Sequence, residues 1–252
     1  MIRAVLMILA MALPAAASET IVAGLSQSRV SITADFDGSE ILIYGAVKRE
    51  EAIPATGPLH VIITVEGPSA PTIVRKKARV AGIWINDEAV QIGRAPSFYA
   101  VATTGFLPEV LSATDDLRYQ ITIPRAIRTV GISSMAADAP GFVEALIRVK
   151  TNADQYRLAE RTVQLTEQTL FRSDIILPAN LIEGPYRVRI FITRNGAVVD
   201  QLERRINVRK EGLERFLYNL SRERPLIYGL LSLLIAVGAG YGASAAFRLM
   251  KA

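Results

Sequence analysis

The sequence predicts a mainly β protein: two immunoglobulin-like β-sandwich units with a partly helical connector, followed by a juxtamembrane helix and one C-terminal transmembrane helix. Three observations carry this. Short runs with period-two alternation of apolar and polar residues recur between Gly/Pro turns. Asn195-Gly196 separates two such runs, and a two-residue type I′ hairpin turn needs positive φ at both its positions. Pro225 to Phe247 is a run of 23 uncharged residues between Arg224 and Arg248. As a helix it is about 35 Å long, enough to cross a hydrocarbon core of roughly 30 Å.

In chain order, Met1-Ile2-Arg3 supplies a positive charge, Ala4 to Leu13 an apolar stretch, and Pro14-Ala15-Ala16-Ala17 a small-residue cleavage site. This pattern predicts a signal peptide over 1–17. The first β unit is expected over 18–104. Its runs include Glu40 to Val47 after the turn Asp35 to Ser39, Leu59 to Glu66 after Thr56-Gly57-Pro58, and Thr72 to Val80 after Pro68 to Pro71. Shorter candidates are Gly82 to Asn86, Ala89 to Ile92 and Ser97 to Thr103. Alternation in Leu59 to Glu66 predicts a half-buried antiparallel strand, with Val61, Ile63 and Val65 on one face.

The connector is expected over 105–159, with a helical turn at Leu107 to Leu111 and a helix over Gly141 to Lys150, where Phe142, Leu146 and Val149 recur at helical spacing. Strands return over 160–209: Thr162 to Thr166, Thr169 to Leu177, Tyr186 to Asn195 and Val198 to Val208. In 210–224, Leu213, Phe216, Leu217 and Leu220 form an apolar stripe. That helix either docks on the β domain or lies among lipid headgroups. The transmembrane helix is placed at 225–247 and a cytoplasmic tail at 248–252.

Composition narrows the function. The balance of 29 basic to 24 acidic residues is scattered along the chain, which does not build a nucleic-acid surface. The absence of cysteine excludes thiolate zinc sites, iron–sulfur clusters and redox disulfides. A cysteine-free exported domain suits the Gram-negative periplasm. The flanking charges conflict with this orientation: Arg209, Lys210, Arg215, Arg222 and Arg224 precede the span and only Arg248 and Lys251 follow it. The leader decides for export, because long domains translocate largely regardless of charge. The alternative is a tail-anchored cytoplasmic protein.

Catalytic signals are weak. His60, the only histidine, is read as a structural strand residue without a nucleophile-elbow partner. Asp35-x-Asp37-Gly38 lacks the remaining ligands of a calcium loop and reads as a turn. Asp87-Glu88 and Asp115-Asp116 are sequence neighbours that diverge in most backbones, and paired-carboxylate chemistry needs acids on separate elements. Only Met135 and Met250 lie outside the leader, too few for copper handling. No catalytic, metal or cofactor-binding residue is assigned, and no cofactor is expected.

Two sets of residues are candidates for recognition. Trp84, the only tryptophan, is expected either as a core pillar or as an anchor of an aromatic interaction surface with Asn86, Ser97 and Tyr99. Within the span, Gly238, Gly242 and Ala246 form a small-residue row and Ala236, Gly240 and Ser244 a second one. Such rows let helices approach closely in lipid, as in packing against a partner or self-association.

The run Ile43-Tyr44-Gly45-Ala46-Val47, the segment Ala81 to Asn86, Pro96-Ser97-Phe98-Tyr99, Thr169-Leu170-Phe171-Arg172 through Leu177 to Asn180, and Glu214 to Tyr218 before the anchor carry a resemblance over essentially the whole chain. They resemble the alphaproteobacterial transmembrane protein family Alph_Pro_TM. The resemblance implies no activity or catalytic residues. It implies the company of a multi-spanning permease of the sulfite-exporter type, hence an accessory role.

The expected function is therefore a membrane-anchored periplasmic interaction or accessory module associated with an inner-membrane transporter, not an enzyme. The alternatives are a membrane-tethered hydrolase using Asp or Glu, and a periplasmic solute-binding module.

Overall fold

The structure, a computed structural model, describes residues 19–33, 36–50, 52–54, 57–127, 139–210 and 213–250. The predicted signal peptide lies outside the described residues. The chain falls into two units, a β body that runs to Val208 and a second unit of residues 31–36 with the tail from Arg209.

The strands of the body are β1 (Thr20–Leu25), β2 (Arg29–Ile32), β3 (Gly38–Lys48), β4 (Leu59–Glu66), β5 (Ser69–Val80), β6 (Ile83–Pro96), β7 (Tyr99–Thr103), β8 (Tyr156–Ala159), β9 (Gln164–Thr166), β10 (Leu170–Pro178), β11 (Gly184–Arg194) and β12 (Ala197–Lys210). Between β7 and β8 lie α1 (Leu107–Val110), α2 (Ala113–Tyr119), α3 (Ile123–Ala126) and α4 (Ala139–Asn152). One sheet has the order β1-β3-β10-β9 and a second the order β2-β12-β11-β4-β7-β8, while β5 and β6 pair only with each other.

This order corrects the expected division into two sandwich units. β10 pairs with β3 from Leu170↔Ala46 to Pro178↔Gly38, and β11 pairs with β4 from Arg187↔Glu66 to Arg194↔Leu59, so each sheet is built from strands of both halves of the sequence. Period two fixes which face a strand buries but carries no information about its partner, and long-range pairing was therefore beyond the pattern.

The sheets lie face to face, with β10 approaching β7 and β1 approaching β11. Between them sit Ile41, Ile43 and Val47 of β3, Phe171, Ile175 and Leu177 of β10, and Val61, Ile63, Val65, Val188 and Ile190 of the larger sheet, all buried. The other face of that sheet is covered by the helices and the base of the β5–β6 hairpin. There Ile62, Tyr99, Val101 and Phe191 pack with Val90, Ile92, Val110, Ile121, Phe142, Leu146 and Tyr156. β4 is thus buried on both faces rather than half-buried, with only His60 partly open in its run. The expected connector is this covering layer.

Local chemistry explains the turns that close these layers. Asn195 and Gly196 adopt φ of 49° and 79°, the predicted type I′ hairpin. The turn docks on α2: the Gly196 carbonyl accepts from Ser112 N at 2.7 Å, and the Asp115 carboxylate accepts from Val198 N at 2.7 Å. Ser112 also caps α2 by accepting from Asp115 N.

In the tail, α5 (Leu213–Glu223) is followed by α6 (Pro225–Met250) with a break at Arg224. Pro225 lacks the N–H that would continue the ladder, yet is well placed in a first turn. Pro225–Ser244 is long and apolar enough to cross a membrane, with mean hydropathy 1.8. The helix as a whole is about 39 Å long at 1.5 Å per residue.

Candidate functional site

The hairpin β5–β6 departs from both sheets. Its base is core: Val90 and Ile92 are fully buried with Val74 against them. Its distal half is solvent-exposed, with Trp84 66% and Ile83 68% accessible and Val80 and Ile85 also open. Sequence reading broke β6 into short pieces. In the structure β6 runs unbroken, and Ala81 and Gly82, at φ of 50° and 85°, make the two-residue turn that joins it to β5, a turn that an alanine disguises. A register shift at Lys76/Lys77 accommodates Asp87 as an extra residue.

Register sorts the arm into two faces. Ala78↔Ile85 and Val80↔Ile83 are cross-strand pairs and make one face wholly apolar, whereas Lys77↔Asn86 and Arg79↔Trp84 make the other cationic, polar and aromatic. Four cations, Arg75, Lys76, Lys77 and Arg79, stand against Asp87 and Glu88, of which Glu88 pairs with Lys76 at 4.0 Å.

Of the predicted surface residues, the structure keeps Trp84 and Asn86 together on this arm and separates Ser97 and Tyr99 from them. Trp84 is no core pillar. Ser97 and Tyr99 are buried at the foot of the hairpin, and the expectation of one shared surface is corrected accordingly. Tyr99 holds a structural position: its hydroxyl donates to Ile121 O at 2.8 Å, accepts from Arg189 Nη2 at 3.1 Å, and burial pushes its pKa up to about 12.

Beside Tyr99 is a cavity of about 160 Å³ lined by Glu66, Arg94, Gln120, Ala126, Arg187 and Arg189. Arg187 and Arg189 stand two residues apart on β11 and so share a face, directly opposite Glu66 and Thr64 of β4. Glu66, with its side chain 8% exposed, accepts from Arg187, lies 3.6 Å from Arg94, and accepts from Ser69 Oγ at 3.2 Å. Arg189 donates to the carbonyls of Tyr119 at 2.6 Å and Gln120 at 3.0 Å. Its guanidinium also lies 5.3 Å from the Phe191 ring centroid. The spacing Arg187-x-Arg189 was visible in the sequence, but its convergence with Glu66 and Arg94 depends on tertiary pairing.

Asp115 and Asp116, one of the two acidic pairs weighed for catalysis, have structural duties. Asp116 accepts from the backbone N–H groups of Ile121 and Thr122 and from the Thr122 hydroxyl, while Asp115 holds Val198. His60 Nδ1 lies 3.1 Å from Thr104 Oγ1, and burial lowers its pKa. Among the described residues, no group of three His, Cys, Asp or Glu could hold a metal ion.

A separate buried cluster ties the N-terminal segment to both sheets. Glu19 accepts from Arg49 Nε at 2.5 Å and from Arg194 at 2.7 and 2.9 Å. Arg49 also reaches Gln168 O and Thr169 Oγ1, and Arg194 reaches Gly57 O. The Arg194 hydrogen bonds outweigh burial and hold the Glu19 carboxyl below the ordinary glutamate range.

On α6, a Cβ added at Gly238 or Gly242 would meet nothing within 4 Å in the chain. Ala246 continues the same row four residues on.

Among the described residues, a β body is followed by one helix long and apolar enough to span a bilayer, the plan of a transmembrane protein with a C-terminal anchor. The family model described as "Putative transmembrane protein (Alph_Pro_TM)" matches residues 20–249, and the chain belongs to that family. A comparison with curated proteins finds no match.

Proposed function

We propose that this protein is a membrane-anchored periplasmic interaction or accessory module of the inner membrane, exported by its signal peptide, held by α6 and engaging a membrane partner such as a multi-spanning permease through the β5–β6 arm. The observation that carries the reading is the exposed apolar tip. Val80, Ile83, Trp84 and Ile85 remain open on a hairpin whose base is locked into the core. Exposed apolar groups gathered at one place and rimmed by charge are the usual mark of an interaction surface. A hydrolase reading receives less support, because the polar cavity contains a single carboxylate, already engaged by two guanidinium groups.

Site-specific photocrosslinking in native membranes tests this. A crosslinker replacing Trp84 is expected to give a discrete adduct with one membrane protein, and the same group at exposed Arg204 of β12 is not. Equal, diffuse labelling from both positions would sink the arm as contact surface.

A further inference from the structure

The cavity under Arg94 carries more positive charge than its own carboxylate can neutralise. Three guanidinium groups line it against one acid, Glu66. Extending the count to the neighbouring rim adds Arg205, which lies opposite Arg187, and Glu203, which lies opposite Arg189 and pairs with Arg205 at 3.6 Å. The excess of two positive charges persists. Arg189 contributes most to it, since its partners are two carbonyls, the Tyr99 hydroxyl and an aromatic ring, all neutral. Among the described residues no carboxylate lies within ion-pair distance of Arg189, and its buried Nε makes no hydrogen bond. A cation held by neutral groups in a partly desolvated recess attracts an anion more strongly than an exposed one.

We infer that this cavity is a binding site for a small oxyanion, a phosphate or carboxylate group, with Arg189 as its floor and Arg94 and Arg187 as its rim. The guanidinium groups are already ordered. Glu66 positions Arg94 and Arg187, the two helix-end carbonyls position Arg189, and little rotamer freedom is left to lose on binding. Planar guanidinium forks match the oxygens of carboxylate and phosphate, which lysines would not do as well. The volume, about 160 Å³, is several times the roughly 30 Å³ a water occupies in the liquid, which admits an ion of that size but not a nucleotide. The site gives chemical content to a solute-binding role and does not depend on the arm.

The test uses the full chain in a neutral detergent, with inorganic phosphate and acetate titrated separately at fixed ionic strength and followed by calorimetry. Saturable one-site binding of at least one anion is expected, weakened about tenfold or more in Arg94→Gln and in Arg187→Gln, the loss of one charge-assisted hydrogen bond. Phosphate preferred over acetate identifies a tetrahedral ligand, and the reverse a carboxylate. Arg94, half-exposed at the hairpin base, keeps the test valid if Arg187→Gln unfolds the body. Failure of both anions to saturate, or saturation unchanged in Arg94→Gln, overturns the inference and leaves the arm reading untouched.

Discussion

Single residues in this chain earn opposite fates from similar chemistry. Trp84 is large and apolar yet open, so truncating it removes little burial. Trp84→Ala is expected to change the stability of the body by less than about 0.5 kcal/mol, the range of ordinary surface substitutions. Far-ultraviolet circular dichroism during thermal unfolding is the measurement, since the substitution deletes the only tryptophan. A loss of about 3–5 kcal/mol would restore the core-pillar expectation. Glu19 is the converse, a charge at full burial. Glu19→Gln leaves Arg49 and Arg194 buried without their carboxylate and is expected to cost about 3–5 kcal/mol. The pH dependence has a fixed sign. Because the folded carboxyl lies below its ordinary value, its contribution is complete above about pH 4.3 and is lost as pH falls through the depressed folded value. Wild type should therefore lose stability more steeply than Glu19→Gln on acid titration, and parallel curves would show the cluster to be inert.

Elements differ in how far the sequence disclosed them. The transmembrane helix, α4 and the Asn195-Gly196 hairpin were legible because each is a local pattern: an uncharged run, a 3.6-residue period, a turn dipeptide. The partnership of β3 with β10 was not, since no local pattern names a partner more than a hundred residues away. The arm was missed for a smaller reason, an alanine at positive φ where the turn rule expects Asn, Asp or Gly. The guanidinium cavity was half visible, in Arg187 and Arg189 alone. For α6 the local pattern leads to a test. Gly238→Leu with Gly242→Leu keeps the span apolar, and a Cβ at either position has nothing within 4 Å outside its own helix turn, so the added bulk is expected to act where another helix packs. The doubly substituted protein is expected to stay in the membrane fraction and lose its crosslinked partner or dimer, whereas Ile227→Ala with Leu234→Ala retains it. Equal crosslinking in both variants would make α6 a passive anchor.

At the scale of the whole molecule, the question is which side of the membrane the β body occupies, because the arm and the cavity can only meet partners and solutes there. Two sequence signals disagree. The leader pattern over 1–17 argues for export, while five basic residues between Arg209 and Arg224 precede the span and two follow it. Export is the expected outcome, because charge bias orients short flanks whereas a body of this length is carried across once a signal has engaged export. A cysteine-free core of interleaved sheets is compatible with either side and adds no weight. Alkaline phosphatase, active only where disulfides form, separates the cases. A fusion after Val208 is expected to be active and one after Ala252 inactive. Should only the Ala252 fusion be active, the body is cytoplasmic, the positive flank has decided the topology, and the partner of the arm must be sought on that side.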